Sequence, residues 1–174
     1  MQEKQLKVLD EFTKLLNSGS EFSKFTLNSA SASLEITQGE LDLLFPYGML
    51  EVAEKLWQKH ISEIETSKEF GVTNGVKMAI LCSFNLLTPY KRAVRKVVKF
   101  LLLPQNLPFA PKFFWKMADA IWKKLQINDV SFSFYTKRVL LSGIYANCFF
   151  YFLLSKNHSN LEEVIERQIK FFRK

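Results

Sequence analysis

Histidine and cysteine are nearly absent from this sequence, two of each in 174 residues. His60 and His158 are far apart, and neither has a second His, Cys or acid at the spacing of an HExxH or CxxC motif, so no metal site is expected. Cys82 and Cys148 each sit inside an apolar run, which fits buried thiols of a reducing compartment better than a disulfide framework. Neither has an adjacent base to generate a thiolate. No Gly-rich phosphate loop, GxSxG serine, internal repeat or useful strand-period segment is present. The longest uncharged run, Val139 to Ser155, would be about 25 Å long as a helix, short of the ~30 Å hydrocarbon core of a bilayer. It reads as a buried central helix. Early acids in MQEKQLKVLDEF argue against a secretory or transit peptide, and a cytoplasmic, bacterial protein is expected. No residue is assigned a catalytic role, and the chain is expected not to be an enzyme.

Cations are scarce only at one end. The total charge is +7, but Met1 to Gly48 holds four lysines against seven acids, −3, so the remainder carries +10. The apolar spacing predicts helices over Lys4–Asn17, Ser23–Leu34 and Gln38–Leu44, the third opened by a capping box of Thr37 with Glu40. Three short helices in this order are the layout of a helix-turn-helix unit. A DNA-reading third helix needs cations, because neutralising phosphates supplies most of the affinity; here it carries Glu40 and Asp42 and no Lys or Arg. The layout is kept and the DNA function is not expected.

Beyond Gly48 the periodicity predicts helices over Met49–Ser67, Gly75–Leu87, Thr88 to about Leu102, Phe113–Leu125, Val139–Ser155 and from Leu161 onward. The helix opening at Thr88-Pro89, with Thr88 as N-cap, is basic and amphipathic. Lys91, Arg92, Arg95, Lys96 and Lys99 cover one side, and Val94, Val97, Val98, Leu101 and Leu102 the other. Asp119 lies on an apolar helical face and needs a basic partner. Phe132, Phe134 and Tyr135 put aromatic mass beside the cations Lys137 and Arg138, while 17 phenylalanines suit either a dense core or a site for something greasy. The fold class is all-α, about nine helices. It divides into a helix-turn-helix-like section, 1–48, and a helical bundle, 49–174, within one compact domain.

The pieces LLLPQNLP, MADAIW, FYTKR and SGIYANCFFYF between Phe100 and Tyr151–Phe152, with LFPYG earlier, resemble the ubiquinone (coenzyme Q) biosynthesis accessory protein family. That resemblance implies a TetR-like all-α homodimer that binds no nucleic acid and has no cofactor. Such a protein holds an isoprenoid or quinone-type lipid in its bundle and presents it to a membrane-associated hydroxylase. It implies a docking patch at Phe132, Phe134, Tyr135, Lys137 and Arg138. The lipid is expected against Leu101, Leu102, Phe113, Trp122, Ile144 and Phe149, where burial of isoprenoid carbons at roughly 25 cal/mol per Å² needs shape more than polar contacts. The family usually has Trp at the position of Phe134 and acids or Asn at those of Ile127, Ser131 and Ser133, a departure that bears on the partner. Relatives often continue into an amphipathic membrane-binding helix. Peripheral attachment to a bacterial inner membrane is therefore expected through Lys91, Arg95 and Lys99, or through Phe171-Phe172-Arg173-Lys174. The alternative is a TetR-type ligand-responsive repressor.

Overall fold

A computed structural model describes residues 2–66, 71–126, 133–155 and 160–171. Phe132, Ile127, Ser131, His158 and Phe172–Lys174, singled out above, lie outside the described residues, as do the side chains of Ser133 and Phe171. Nine α-helices and two 3₁₀ turns, with no strand, account for the described elements. The all-α, TetR-like class expected from the sequence is what is found, with the helix-turn-helix layout at its start. Two compact units are distinguished, Met1–Lys59 with Pro89–Phe109, and His60–Thr88 with Ala110–Lys174.

The first unit is built on α1 (Gln2–Ser18), α2 (Lys24–Ala32), α3 (Gln38–Leu44), most of α4 (Met49–Glu63) and α6 (Lys91–Leu101). Its core follows from the helical spacing of α1: Val8, Leu9, Phe12 and Leu16 are buried against Leu27, Ala30, Leu41, Leu44, Val52 and Ala93. Phe22 bridges Phe12 and Phe100 at ring-centroid distances of 5.4 and 4.8 Å. The last carbonyls of a helix have no partner within it. At the end of α1 this is met by Lys96 of α6, whose Nζ donates to the carbonyls of Leu16 (3.1 Å) and Ser20 (2.6 Å). Gly19 takes φ 133°, a region that side chains disfavour, so that Ser20 N–H returns to Leu15 C=O at 3.0 Å.

The capping box read from the sequence opens α3: Thr37 Oγ1 accepts from Glu40 N–H (3.3 Å), and Glu40 Oε2 accepts from Thr37 N–H (3.1 Å). Replacing Thr37 by Ala is expected to cost about 1 kcal/mol, checked by urea denaturation against the wild type. Thr88 behaves differently from the expectation. Its hydroxyl donates back to Phe84 C=O (2.8 Å), closing the preceding helix, and α6 begins three residues later after the turn Thr88–Tyr90, with no side-chain cap. A Thr can bond four residues back as readily as it caps forward, and Pro89 suits either arrangement.

The second unit comprises α5 (Gly71–Leu87), α7 (Ala110–Lys124), α8 (Ser133–Leu154), α9 (Leu161–Phe171) and the last turn of α4. α5 starts a turn earlier than predicted, because Gly71, at φ 76°, supplies the bend before it rather than Gly75, which is buried inside it. Lys77 of α5 pairs with Glu162 (2.7 Å) and Glu166 (2.6 Å) of α9. Lys124 Nζ donates to the carbonyls of Ser62 (3.1 Å) and Ile64 beyond the end of α4. None of the described helices is long and apolar enough to cross a membrane. α8 is nonetheless apolar on two sides. Leu141, Tyr145, Cys148 and Phe152 are buried, whereas Val139, Leu140, Phe150 and Leu154 face solvent.

Candidate functional site

α8 carries two features that the rest of the second unit supports, one interior and one at its N-terminal end. In the interior, Tyr145 is fully buried and stacks on Phe84 of α5 at 5.4 Å and on Phe149 at 6.1 Å. Phe84 stacks in turn on Phe152 (5.1 Å), and Phe114 of α7 meets the edge of Phe149 at 5.8 Å. Within this aromatic packing runs one polar chain: His60 Nε2 is 2.8 Å from Ser83 Oγ, which is 2.5 Å from the Tyr145 hydroxyl. Buried hydroxyls and imidazoles must be hydrogen-bonded, and these three satisfy one another. Burial pushes the His60 pKa down to about 4, so the ring is neutral near pH 7. The Tyr145 phenol is pushed up by the same burial. His60 is thus a hydrogen-bonded interior histidine.

Of the residues expected around a lipid, Phe113, Ile144 and Phe149 are buried in the second unit and Trp122, on α7, is half-buried. The Trp122 indole Nε1 is buried with no hydrogen-bond partner among the described residues. Leu101 and Leu102 belong to the first unit, where Leu101 is buried and Leu102 is 49% exposed.

At the start of α8 the Tyr-Thr-Lys-Arg segment is held from inside. Arg138, only 4% exposed, donates from Nε to Asp119 Oδ1 (2.7 Å) and from a terminal nitrogen to Phe134 C=O (3.2 Å). Its guanidinium carbon lies 3.4 Å from the centre of the Phe134 ring. Lys123 takes the second Asp119 oxygen at 2.7 Å. Burial raises the Asp119 pKa, but the hydrogen bonds from Lys123 and Arg138 outweigh it and leave the carboxyl below its usual value. The partner that Asp119 required is therefore on the next helix. The side chain that this clamp leaves outward is Tyr135, 65% exposed, stacked over Trp115 at 6.4 Å and 23° and edge-on to Phe134 at 5.1 Å. Lys137 is half-buried. The resemblance put Arg138 in the docking patch; the acid that draws it inside lies 19 residues earlier, on another helix.

Among the described residues no group of three or more His, Cys, Asp or Glu is placed to hold a metal ion. Burial pushes the Cys148 thiol up to about 11, far from a nucleophile's range. In the first unit, Arg92, Arg95 and Lys99 of α6 are exposed and Lys91 is half-buried. Its desolvation, with Arg95 nearby, lowers the Lys91 pKa. α3 meanwhile holds Glu40 in its cap and Asp42 on Gln38 (3.1 Å) and Lys24 (3.6 Å), so a phosphate backbone would meet carboxylates there.

Residues 107–174, which include the whole Asp119–Arg138 clamp, match the family model for COQ9. Over this stretch the chain is similar to the COQ9 family. The match bears out the resemblance to ubiquinone biosynthesis accessory proteins. The chain is 31% identical over 127 residues to the ubiquinone biosynthesis protein COQ9, mitochondrial, of Rattus norvegicus, which covers 68% of this chain and 39% of the rat protein. It is likewise 31% identical over 110 residues to COQ9-A of Xenopus laevis, covering 63% of this chain and 32% of the frog protein. The human COQ9 protein matches at 27% over 97 residues, 56% of this chain and 29% of the human one. The chain thus spans between 29% and 39% of the length of these COQ9 relatives.

Proposed function

We propose that this chain is a non-catalytic, lipid-binding accessory protein of ubiquinone biosynthesis, which holds an isoprenoid quinone precursor and presents it to a membrane-associated modifying enzyme. The observation that carries the reading is the outward Tyr135, fixed by the Phe134–Arg138–Asp119 clamp inside the COQ9-matching segment. An exposed aromatic stacked on a second ring costs little entropy to immobilise and is what a partner surface grips. Arg138 serves docking from within, by holding Phe134, and Lys137 lies beside the patch.

The lipid seat we assign lies between α7 and α8, among Phe113, Trp122, Ile144 and Phe149. There the unpartnered Trp122 N–H suits an acceptor oxygen on the guest. The outer side of α8, with Val139, Phe150 and Leu154 exposed and Gly143 opening onto free space, suits a second copy of the chain. α6, through Lys91, Arg95 and Lys99, is read as facing an anionic membrane. The relatives are mitochondrial by name, so the matching location is the quinone-bearing inner membrane of a mitochondrion or a bacterium.

Deleting the gene and separating the quinone pool by chromatography is expected to reveal an incompletely modified ubiquinone precursor. An unchanged pool would remove the reading. Tyr135→Ala is expected to weaken capture of the modifying enzyme at least tenfold while shifting thermal unfolding by less than about 1 °C, because the side chain is mostly in solvent. Phe150→Asp with Leu154→Asp should yield a monomer in sedimentation where the wild type is a dimer.

A further inference from the structure

We propose that the segment following α6, Leu102 to Phe109, is a preformed apolar wedge that enters an anionic lipid surface, with α6 supplying the cations that hold it there. This rests on the reading that the protein works at a membrane and names the element that enters it. Four large apolar side chains of this short segment stand in solvent: Leu102 (49% exposed), Leu103 (41%), Leu107 (49%) and Phe109 (43%). Scattered exposed leucines are ordinary, but four within one turn-rich segment form a contiguous stretch of chain that water does not favour.

The backbone keeps them there. Leu103 C=O accepts the N–H groups of Asn106 (2.8 Å) and Leu107 (2.9 Å), and Asn106 C=O accepts that of Phe109 (2.9 Å). The Asn106 side-chain Nδ2 donates to Phe100 C=O at 2.8 Å, tying the turn to the end of α6. Pro104 and Pro108 fix two further φ angles. With these backbone groups occupied and two φ angles fixed, the segment loses little freedom on entering an apolar phase.

The charge pattern selects the occupant. Leu102 to Phe109 contains no charged residue, and α6 contains no acid. Arg92, Arg95 and Lys99 are exposed one to three turns back along α6, whereas Lys96 is engaged at the end of α1. An uncharged apolar tip with cations set behind it matches a bilayer, acyl chains below and anionic phosphates above. A nucleic acid would use the cations and leave the apolar tip without purpose.

Cosedimentation of the full chain with vesicles of phosphatidylcholine, with and without phosphatidylglycerol, tests this. Binding is expected to the anionic vesicles. Leu102→Glu with Leu107→Glu should weaken it at least about tenfold while leaving the thermal unfolding curve in place, since both side chains are half in solvent. In a second variant, Leu107→Trp, acyl chains brominated at mid-depth should quench the added indole beyond the quenching of the wild-type tryptophans. If the wild type ignores anionic vesicles, both the wedge and the membrane reading fail. If Arg95→Glu with Lys99→Glu abolishes binding but the leucine variants bind normally and Trp at 107 is not quenched, the wedge is overturned and purely electrostatic attachment stands. Equal binding to phosphatidylcholine alone would overturn the role given to the cations.

Discussion

Replacing Asp119 by Ala is expected to lower the unfolding free energy by about 3–4 kcal/mol, and replacing Arg138 by Met by about 2 kcal/mol, measured in urea. The asymmetry follows from burial. The Arg138 side chain is 5% exposed, so without Asp119 a cation remains inside with, among the described residues, the Phe134 carbonyl and ring beside it. Asp119 is 23% exposed and keeps Lys123 at 2.7 Å, so without Arg138 water and a lysine still serve the carboxylate. Removing both partners should cost less than the two single changes together, and a double-mutant cycle reads that coupling. For a chain of this size 3–4 kcal/mol corresponds to roughly 10 °C in Tm. The pH dependence has a definite sign. The folded pKa of Asp119 lies below its unfolded value near 4, so its contribution is complete above that value and is lost as the pH falls through the lowered folded pKa. A consequence reaches function: loosening Arg138 frees the Phe134 ring, so Arg138→Met should also weaken docking through Tyr135.

The second large effect comes from His60. Its pKa falls from 6.5 to about 4 on folding because burial disfavours the imidazolium. Between these values the unfolded chain binds a proton that the folded chain does not, so stability falls as the solution is acidified. The contribution is whole above pH 6.5 and lost below about pH 4. At 1.36 kcal/mol per unit the loss amounts to about 3 kcal/mol. His60→Gln, which retains a group able to hydrogen-bond Ser83 Oγ, should flatten the stability profile across this window relative to the wild type. Carboxylates titrate alike in both proteins, so the difference between the two curves isolates His60. Parallel profiles would show that His60 is not the titrating group.

Much of the fold was legible because helices obey local rules. The apolar spacing of Val8, Leu9, Phe12 and Leu16 marked the buried side of α1, Thr37 and Glu40 marked the start of α3 to the residue, and Pro46 marked its end. Where one residue type serves two local structures, the reading slipped. Thr88 closes a helix rather than opening one, and Gly71 rather than Gly75 makes the bend. α8 was placed to begin at Val139 because Lys137 and Arg138 looked like a boundary, yet it begins at Ser133. Lys and Arg are good helix formers and do not end a helix, and the buried charge of Arg138 is met by Asp119.

Composition, period and caps thus determined, from the sequence alone, that this is an all-α chain with an acidic helix-turn-helix layout and a basic sixth helix, while the pieces LLLPQNLP, MADAIW, FYTKR and SGIYANCFFYF carried the resemblance to ubiquinone biosynthesis accessory proteins. Its motifs also pointed to Tyr135 and its neighbours. Tertiary structure decided which groups meet: Asp119 with Arg138, His60 with Ser83 and Tyr145, Lys96 with the end of α1, and Leu102, Leu103, Leu107 and Phe109 left in water. The physical reason is range. Backbone hydrogen bonds and side-chain periodicity act over three or four residues and are written in order along the chain. The pairing of a buried charge or hydroxyl depends on which helix packs opposite it, and that partner can lie 19 or 62 residues away.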